Sequence, residues 1–211
     1  MKESIFYGKA IKDLPSSIIV DGVRKECPRY SVWRGMITRA LCPIYKQRNP
    51  TYNDVIVCDE WLRFSNFCKW LETQIWEGLC LDKDLLVMGN REYNPNNCAF
   101  IPNTLNLLLR TNKAKRGIYP VGVYFKNDVR RTKPYRACVS LGKGMNKHLG
   151  HFETPMQAHH AWQWSKASII EESISSYAKE DCFRTDVAEA LTDRVWRLRL
   201  DHCRGLETFD L

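Results

Sequence analysis

The chain has 211 residues, of which 44% are hydrophobic and 11% aromatic, an ordinary globular composition with room for one medium domain or two small ones. It contains no run of about 18 apolar residues to span a bilayer, and the opening MKESIFYGKAIKDLP has no apolar stretch of signal-peptide type. An intracellular, cytoplasmic protein with no membrane partner is therefore expected. The net charge of +8 is unevenly placed, because Arg110 to Lys147 carries eleven Lys and Arg against the single acid Asp128, a larger excess than that of the whole chain. Such a block, set among aromatic and strand-like residues, points to nucleic acid as the partner. The nine cysteines (27, 42, 58, 68, 80, 98, 138, 182 and 203) are odd in number and form no C-x-x-C pair, which argues against a zinc knuckle and a disulfide framework. Reduced, mostly buried thiols are expected.

Residues 1–29 show no sustained period, although SIIVDG reads as a strand running into a turn at Asp21-Gly22. From Tyr30, YSVWRGMITRAL spaces Val32/Trp33, Met36/Ile37 and Ala40/Leu41 at helical intervals. PIYKQRNPTYND, from Pro43 to Asp54, reads as a loop by its prolines and asparagines. VIVCDEWLRFSNFCKWLETQ then opens as a strand and becomes a helix, with Trp61, Phe64, Phe67/Cys68 and Leu71 on one face as core packing. Next, LDKDLL and CAFIP are strand-like, VMGNREYNPNN between them is turn-rich, and Asn103 or Thr104 can cap a helix through Leu109. A lysine-rich linker follows.

From Val121 the period changes to two: GVYFK, YRACVSL and KHLGHF form a three-stranded antiparallel meander joined at Asn127 to Pro134 and at Gly142 to Asn146. Thr154-Pro155-Met156-Gln157 is a capping box that starts a helix with Ala158, Ala161/Trp162, Ser165 and Ile169 toward the sheet. A last helix starts at Thr185, carries Val187, Leu191, Val195 and Leu198 on one side, and ends before Gly205. The class is α+β. The expected division is an N-terminal segment 1–29, a module 30–110, a basic linker 111–118, a sheet-and-helix domain 119–180 and a terminal helix 181–211.

The chemistry concentrates in Leu81 to Leu109. A compact metal-dependent nuclease needs a hard divalent cation held by oxygen ligands, a nucleophilic water and donors that position the scissile phosphate. A hairpin followed by a helix can supply these: Asp82 ends the first strand, Asn106 stands early in the helix, and Asn97 braces the loop. Asp82-Lys83-Asp84, then Tyr93-Asn94-Pro95-Asn96-Asn97-Cys98, then Asn106 resemble the HNH (ββα-metal) endonucleases, specifically phage-encoded homing-type members. With the helices before it the match covers about residues 30–110. The resemblance implies Asp82 and Asn106 as ligands of Mg²⁺ or Mn²⁺, Asn97 as the loop-organising asparagine and Lys83 at the catalytic general-base position, where the family has histidine. No histidine precedes His148. A lysine working as a base near pH 7 needs its pKa of ~10.4 lowered by ~3 units, or ~4 kcal/mol. Lys83 is therefore expected to stay protonated and to stabilise phosphate charge while the metal activates water, giving a slow nuclease. The alternative is an inactive nuclease fold kept for DNA binding.

Residues 119–168 resemble the plant ethylene-response-factor (ERF) type DNA-binding domain, through Gly122-Val123, Tyr135-Arg136-Ala137-Cys138-Val139, Gly142-Lys143 and His148-Leu149-Gly150-His151-Phe152-Glu153-Thr154 with Ala158 and Ala161. That resemblance implies a sheet laid in the major groove of double-stranded DNA with a helix behind it. Tyr124 stands where the family has a base-reading arginine, and Tyr135 and His148 where it has sheet tryptophans. Strand alternation sets Tyr135/Ala137/Val139/Leu141 on one face and Arg136/Cys138/Ser140 on the other. The expected DNA contacts are Lys126, Arg130, Arg131, Tyr135, Arg136, Lys143, Lys147 and His148, phosphate contacts being commoner than base contacts. A DNA endonuclease that nicks as a monomer, without a small-molecule cofactor, is the function these resemblances imply.

Overall fold

In the computed structural model, which describes residues 3–109, 117–126, 132–142 and 144–211, the chain is mixed α+β as expected. Its internal contacts divide it into two compact units, Met1–Ile101 and Pro102–Leu211.

The first unit begins with two small antiparallel pairs, β1 (Ser4–Phe6) with β2 (Ala10–Lys12) and β3 (Ser17–Val20) with β4 (Val23–Glu26). The second pair turns at Asp21 (φ 52) and Gly22 (φ 75), the two positive values that a two-residue hairpin of this hand requires. Two helices follow, α1 (Pro28–Leu41) and α2 (Pro43–Arg48), each with proline at its start. The α2 segment reads as loop in the sequence because prolines punctuate it. Proline in the first helical turn instead presets φ and lacks only an N–H that would be unpaired anyway. The remaining elements are β5 (Ile56–Val57), α3 (Phe64–Leu71), β6 (Cys80–Asp82), β7 (Glu92–Tyr93) and β8 (Ala99–Ile101). β6 pairs antiparallel with β8, while β7 leaves that hairpin to pair in parallel with β5.

Aromatic packing between α1 and α3 forms the core of this unit. Trp33, Trp61, Phe64, Phe67 and Phe100 are all at most 2% exposed. Trp61 meets Phe67 edge-on at 5.2 Å, and Trp33 Nε1 donates to Trp61 O at 2.8 Å, so the indole is buried with its one polar atom satisfied.

The second unit holds α4 (Asn103–Leu109), β9 (Val123–Phe125), β10 (Tyr135–Gly142), β11 (Met145–Phe152), α5 (Pro155–Tyr177) and α6 (Thr185–Cys203). The strands form the expected antiparallel sheet, in the order β11-β10-β9. The capping box is complete, with Gln157 N donating to Thr154 Oγ1 and Thr154 N donating to Gln157 Oε1, both at 3.2 Å. Ala137, Val139 and Ala158 are wholly buried between sheet and α5. α5 buries a second face as well, His159, Gln163, Lys166 and Ile170, because α6 packs beside it. α4 packs near β10, and Lys166 Nζ donates to the carbonyl of Leu108 at the end of α4. All nine cysteines are free; Cys68, Cys98 and Cys182 are buried, Cys203 is exposed and the other five are half-buried, fewer buried than expected.

Candidate functional site

The first strand of the β6–β8 hairpin ends at Asp82, four residues before LDKDLL does, because Asp82 turns the chain with its own side chain. Asp82 Oδ1 accepts from the backbone N–H of Asp84 at 3.0 Å and of Leu85 at 2.8 Å. This is an Asx-type turn, in which a short carboxylate competes with the ladder for the backbone. Burial and the neighbouring Asp84 carboxylate together raise the pKa of Asp82 above the ordinary carboxylate value.

Lys83 is 6% exposed. Its ammonium donates to Asp84 Oδ2 at 3.0 Å and to Asn90 O at 3.1 Å, both inside the loop. A buried ammonium needs such partners, and these commit Lys83 to holding the loop closed. Asn90 lies at the centre of the loop and carries no motif signal. Its Nδ2 donates to the carbonyls of Lys83 (2.6 Å) and Glu92 (2.7 Å), and its Oδ1 accepts from Glu92 N and from Asn97 Nδ2, each at 3.2 Å. Asn97 thus braces the loop through Asn90. Asn94 makes the next turn, accepting from Asn96 N at 3.0 Å and Asn97 N at 2.8 Å.

Two adjacent carboxylates, one of them half-buried, are the donor chemistry a hard divalent cation takes, and its charge would relieve their repulsion. The residues present therefore fit Mg²⁺ or Mn²⁺, with Asp84 joining Asp82; the D-x-D spacing was its only sequence signal. Among the described residues no group of three His, Cys, Asp or Glu is arranged to hold a metal. Asn106 belongs to α4 of the second unit, and its half-buried side-chain amide makes no hydrogen bond to the described residues.

On the sheet, the face of β10 away from α5 carries Arg136 and Cys138. In β11, Ala137 pairs with Gly150 and Cys138 with His148, so Leu149 is an extra residue, a bulge made beside Gly150 at φ +132. Without it, His148 and His151, three residues apart, would point to opposite faces. With it, both join Arg136 and Cys138, their rings 5.0 Å apart. Tyr124, 52% exposed, lies under the Arg136 guanidinium at 5.3 Å. With Lys126 and Asn146 these residues line an open concavity of about 500 Å³. Arg136 Nε is buried there without a hydrogen-bond partner among the described residues.

Of the expected contacts, Lys126, Arg136 and His148 meet on this face. Tyr135 turns to the helix side, against Tyr119 at 5.5 Å and Phe125 at 5.3 Å. Lys147 also lies on that side, opposite the buried Val139, since the bulge comes after it. Arg130, Arg131 and Lys143 lie outside the described residues, as does most of the basic linker. Asn146, His151 and Tyr124 complete the face; only the bulge, which alternation does not predict, shows that His151 belongs to it.

Compared with protein-family models, curated proteins and solved structures, the chain matches none.

Proposed function

We propose that the protein is a metal-dependent DNA endonuclease that grips duplex DNA with the open face of its three-stranded sheet and hydrolyses a phosphodiester at the β6–β8 hairpin. The observation that carries the reading is the collection of Lys126, Arg136, Asn146 and His148 on one bared sheet face with Tyr124, within the most basic part of the chain. A two-stranded ribbon or small sheet is of a size to enter the major groove, where arginine and asparagine can pair with base edges and lysine with phosphate.

In the hairpin, Asp82 and Asp84 would hold Mg²⁺ or Mn²⁺. The cation supplies charge stabilisation at the phosphate and a more acidic water. Asn90 and Asn97 keep the loop in one shape, and Lys83 keeps Asp84 in place by its ammonium. A lysine bonded in this way does not act as general base, so turnover is slow. The engagement of Lys83 also favours a second reading, a DNA-binding protein whose nuclease centre is spent.

The binding half is tested by titrating a mixed-sequence DNA duplex with the wild-type protein and with Arg136→Ala and Lys126→Ala. Affinity should fall steeply with salt, and each variant should bind more weakly with a salt slope shallower by about one. Equal affinity and slope in all three would refute the sheet as the grip.

A further inference from the structure

α5 and α6 run antiparallel in the second unit, tied by Arg199 to Glu171 at 2.6 Å, and Gln163 Nε2 of α5 donates to Leu206 O in the tail beyond α6 at 2.9 Å. Adjacent histidines on α5 have opposite hydrogen-bond environments. His159, wholly buried, uses both ring nitrogens: Nδ1 pairs with Val121 O at 2.9 Å and Nε2 accepts from Thr208 N at 3.0 Å. It is a structural residue that holds the C-terminal tail. His160, turned about 100° around the helix, faces His202 of α6, their ring centres 4.9 Å apart and planes at 70°. His160 Nε2 and His202 Nδ1 are both buried, and neither has a hydrogen-bond partner among the described residues.

Buried ring nitrogens are nearly always paired. Two unpaired ones on facing helices, in residues that line the same open cavity of about 640 Å³, call for a common partner. Two imidazoles bound to one first-row ion at about 2.1 Å have ring centres about 4.5 to 5.2 Å apart for angles of about 90 to 109° at the metal. The spacing found lies within that range.

We propose that His160 Nε2 and His202 Nδ1 form a two-imidazole site for a divalent first-row transition metal of the Zn²⁺ or Ni²⁺ kind, which clips α5 to α6. Among the described residues no third His, Cys, Asp or Glu completes a protein ligand set, so solvent fills the other positions. Imidazole selects such ions over Mg²⁺, whose ligands are oxygens. The site is thus distinct in chemistry and in place from the nuclease centre, and it stands whether or not the protein cleaves DNA. The His148–His151 pair is the natural rival, being as close but on the open face of the sheet.

The test is Ni²⁺ titration by calorimetry, at neutral pH in excess Mg²⁺, of the full chain and of His160→Gln, His202→Gln, His148→Gln and Cys203→Ser. One Ni²⁺ should bind per chain and raise the thermal midpoint. His160→Gln and His202→Gln should each weaken binding at least tenfold, while the other two bind as the wild type does. In the wild-type chain, paramagnetic broadening of imidazole NMR signals should be greatest at two of the five histidines, identified as 160 and 202, a readout that needs no variant to fold. Absence of Ni²⁺ binding, unchanged affinity in the His160 and His202 variants, or a tenfold loss in His148→Gln or Cys203→Ser would overturn the assignment.

Discussion

At the scale of single residues, Asp82 has two tasks that can be separated. Its Oδ1 caps a turn, which an asparagine oxygen can do equally well, while its charge sits half-buried beside Asp84. Because the folded pKa is raised, the folded state carries a penalty for the ionised form that grows as pH rises from the unfolded value toward the folded one and is full above it. Asp82→Asn should therefore unfold at a higher urea concentration than the wild type at pH 7 without divalent cation, and the same variant should lose cleavage. A variant less stable than the wild type would contradict the electrostatic part of this account. Lys166 allows a second pH test. It is 3% exposed, and burial lowers its pKa to about 8. The unfolded chain then holds this proton more tightly between pH ~8 and ~10.5, so the cost of burying the charge is full below pH ~8 and vanishes as pH rises through that window. A shift of this size corresponds to about 3 kcal/mol. The stability difference between Lys166→Met and the wild type, from urea unfolding at pH 7.5 and 10, should move by up to that amount in favour of the wild type; a difference independent of pH would count against the buried ammonium. Asp82 and Asn97 were legible in the sequence because they belong to a spaced pattern. Asn90 was not, since its partners are mostly backbone groups that only loop closure brings to it.

At the scale of elements, periodicity served well where one face of an element is buried and one is not. α1, α6, β9 and β10 follow it, and the capping box marked the start of α5 to the residue. Three features escaped for physical reasons. α2 forms from a proline-led segment too short to show a period. α5 is buried on two faces, so its apolar stripe does not define one direction. The Leu149 bulge shifts β11 by one residue, which sends Lys147 to the helix side and brings His148 and His151 together. A close approach explains a glycine here: at Gly122, φ is +80°, and a Cβ would stand 2.1 Å from the Trp162 ring. Gly122→Ala has to move the indole and hold a strained backbone, a cost of about 2–4 kcal/mol. A fall in the urea midpoint of that order is expected, and a midpoint equal to the wild type would show that β9 does not need the contact.

For the molecule as a whole, charge and chemistry are divided between two units. The first has an aromatic core and a loop built from Asp82, Lys83, Asn90 and Asn97; the second, whose sequence includes the dense basic block, has Lys126 and Arg136 on a sheet backed by α5, with α6 packed beside α5. The proposed binding and cleavage should accordingly be separable by mutation, with Arg136 on one side and Asp82 on the other. The most direct measurement of the central claim is nicking of supercoiled plasmid by the wild-type protein with Mg²⁺, with Mn²⁺ and with chelator, beside Asp82→Asn and Asp84→Asn. The account predicts slow conversion to open circles with either metal, none with chelator, and a loss of about 100-fold or more in both variants while DNA binding persists. DNA bound but uncut by the wild type under every metal, or nicking undiminished in Asp82→Asn, would contradict it.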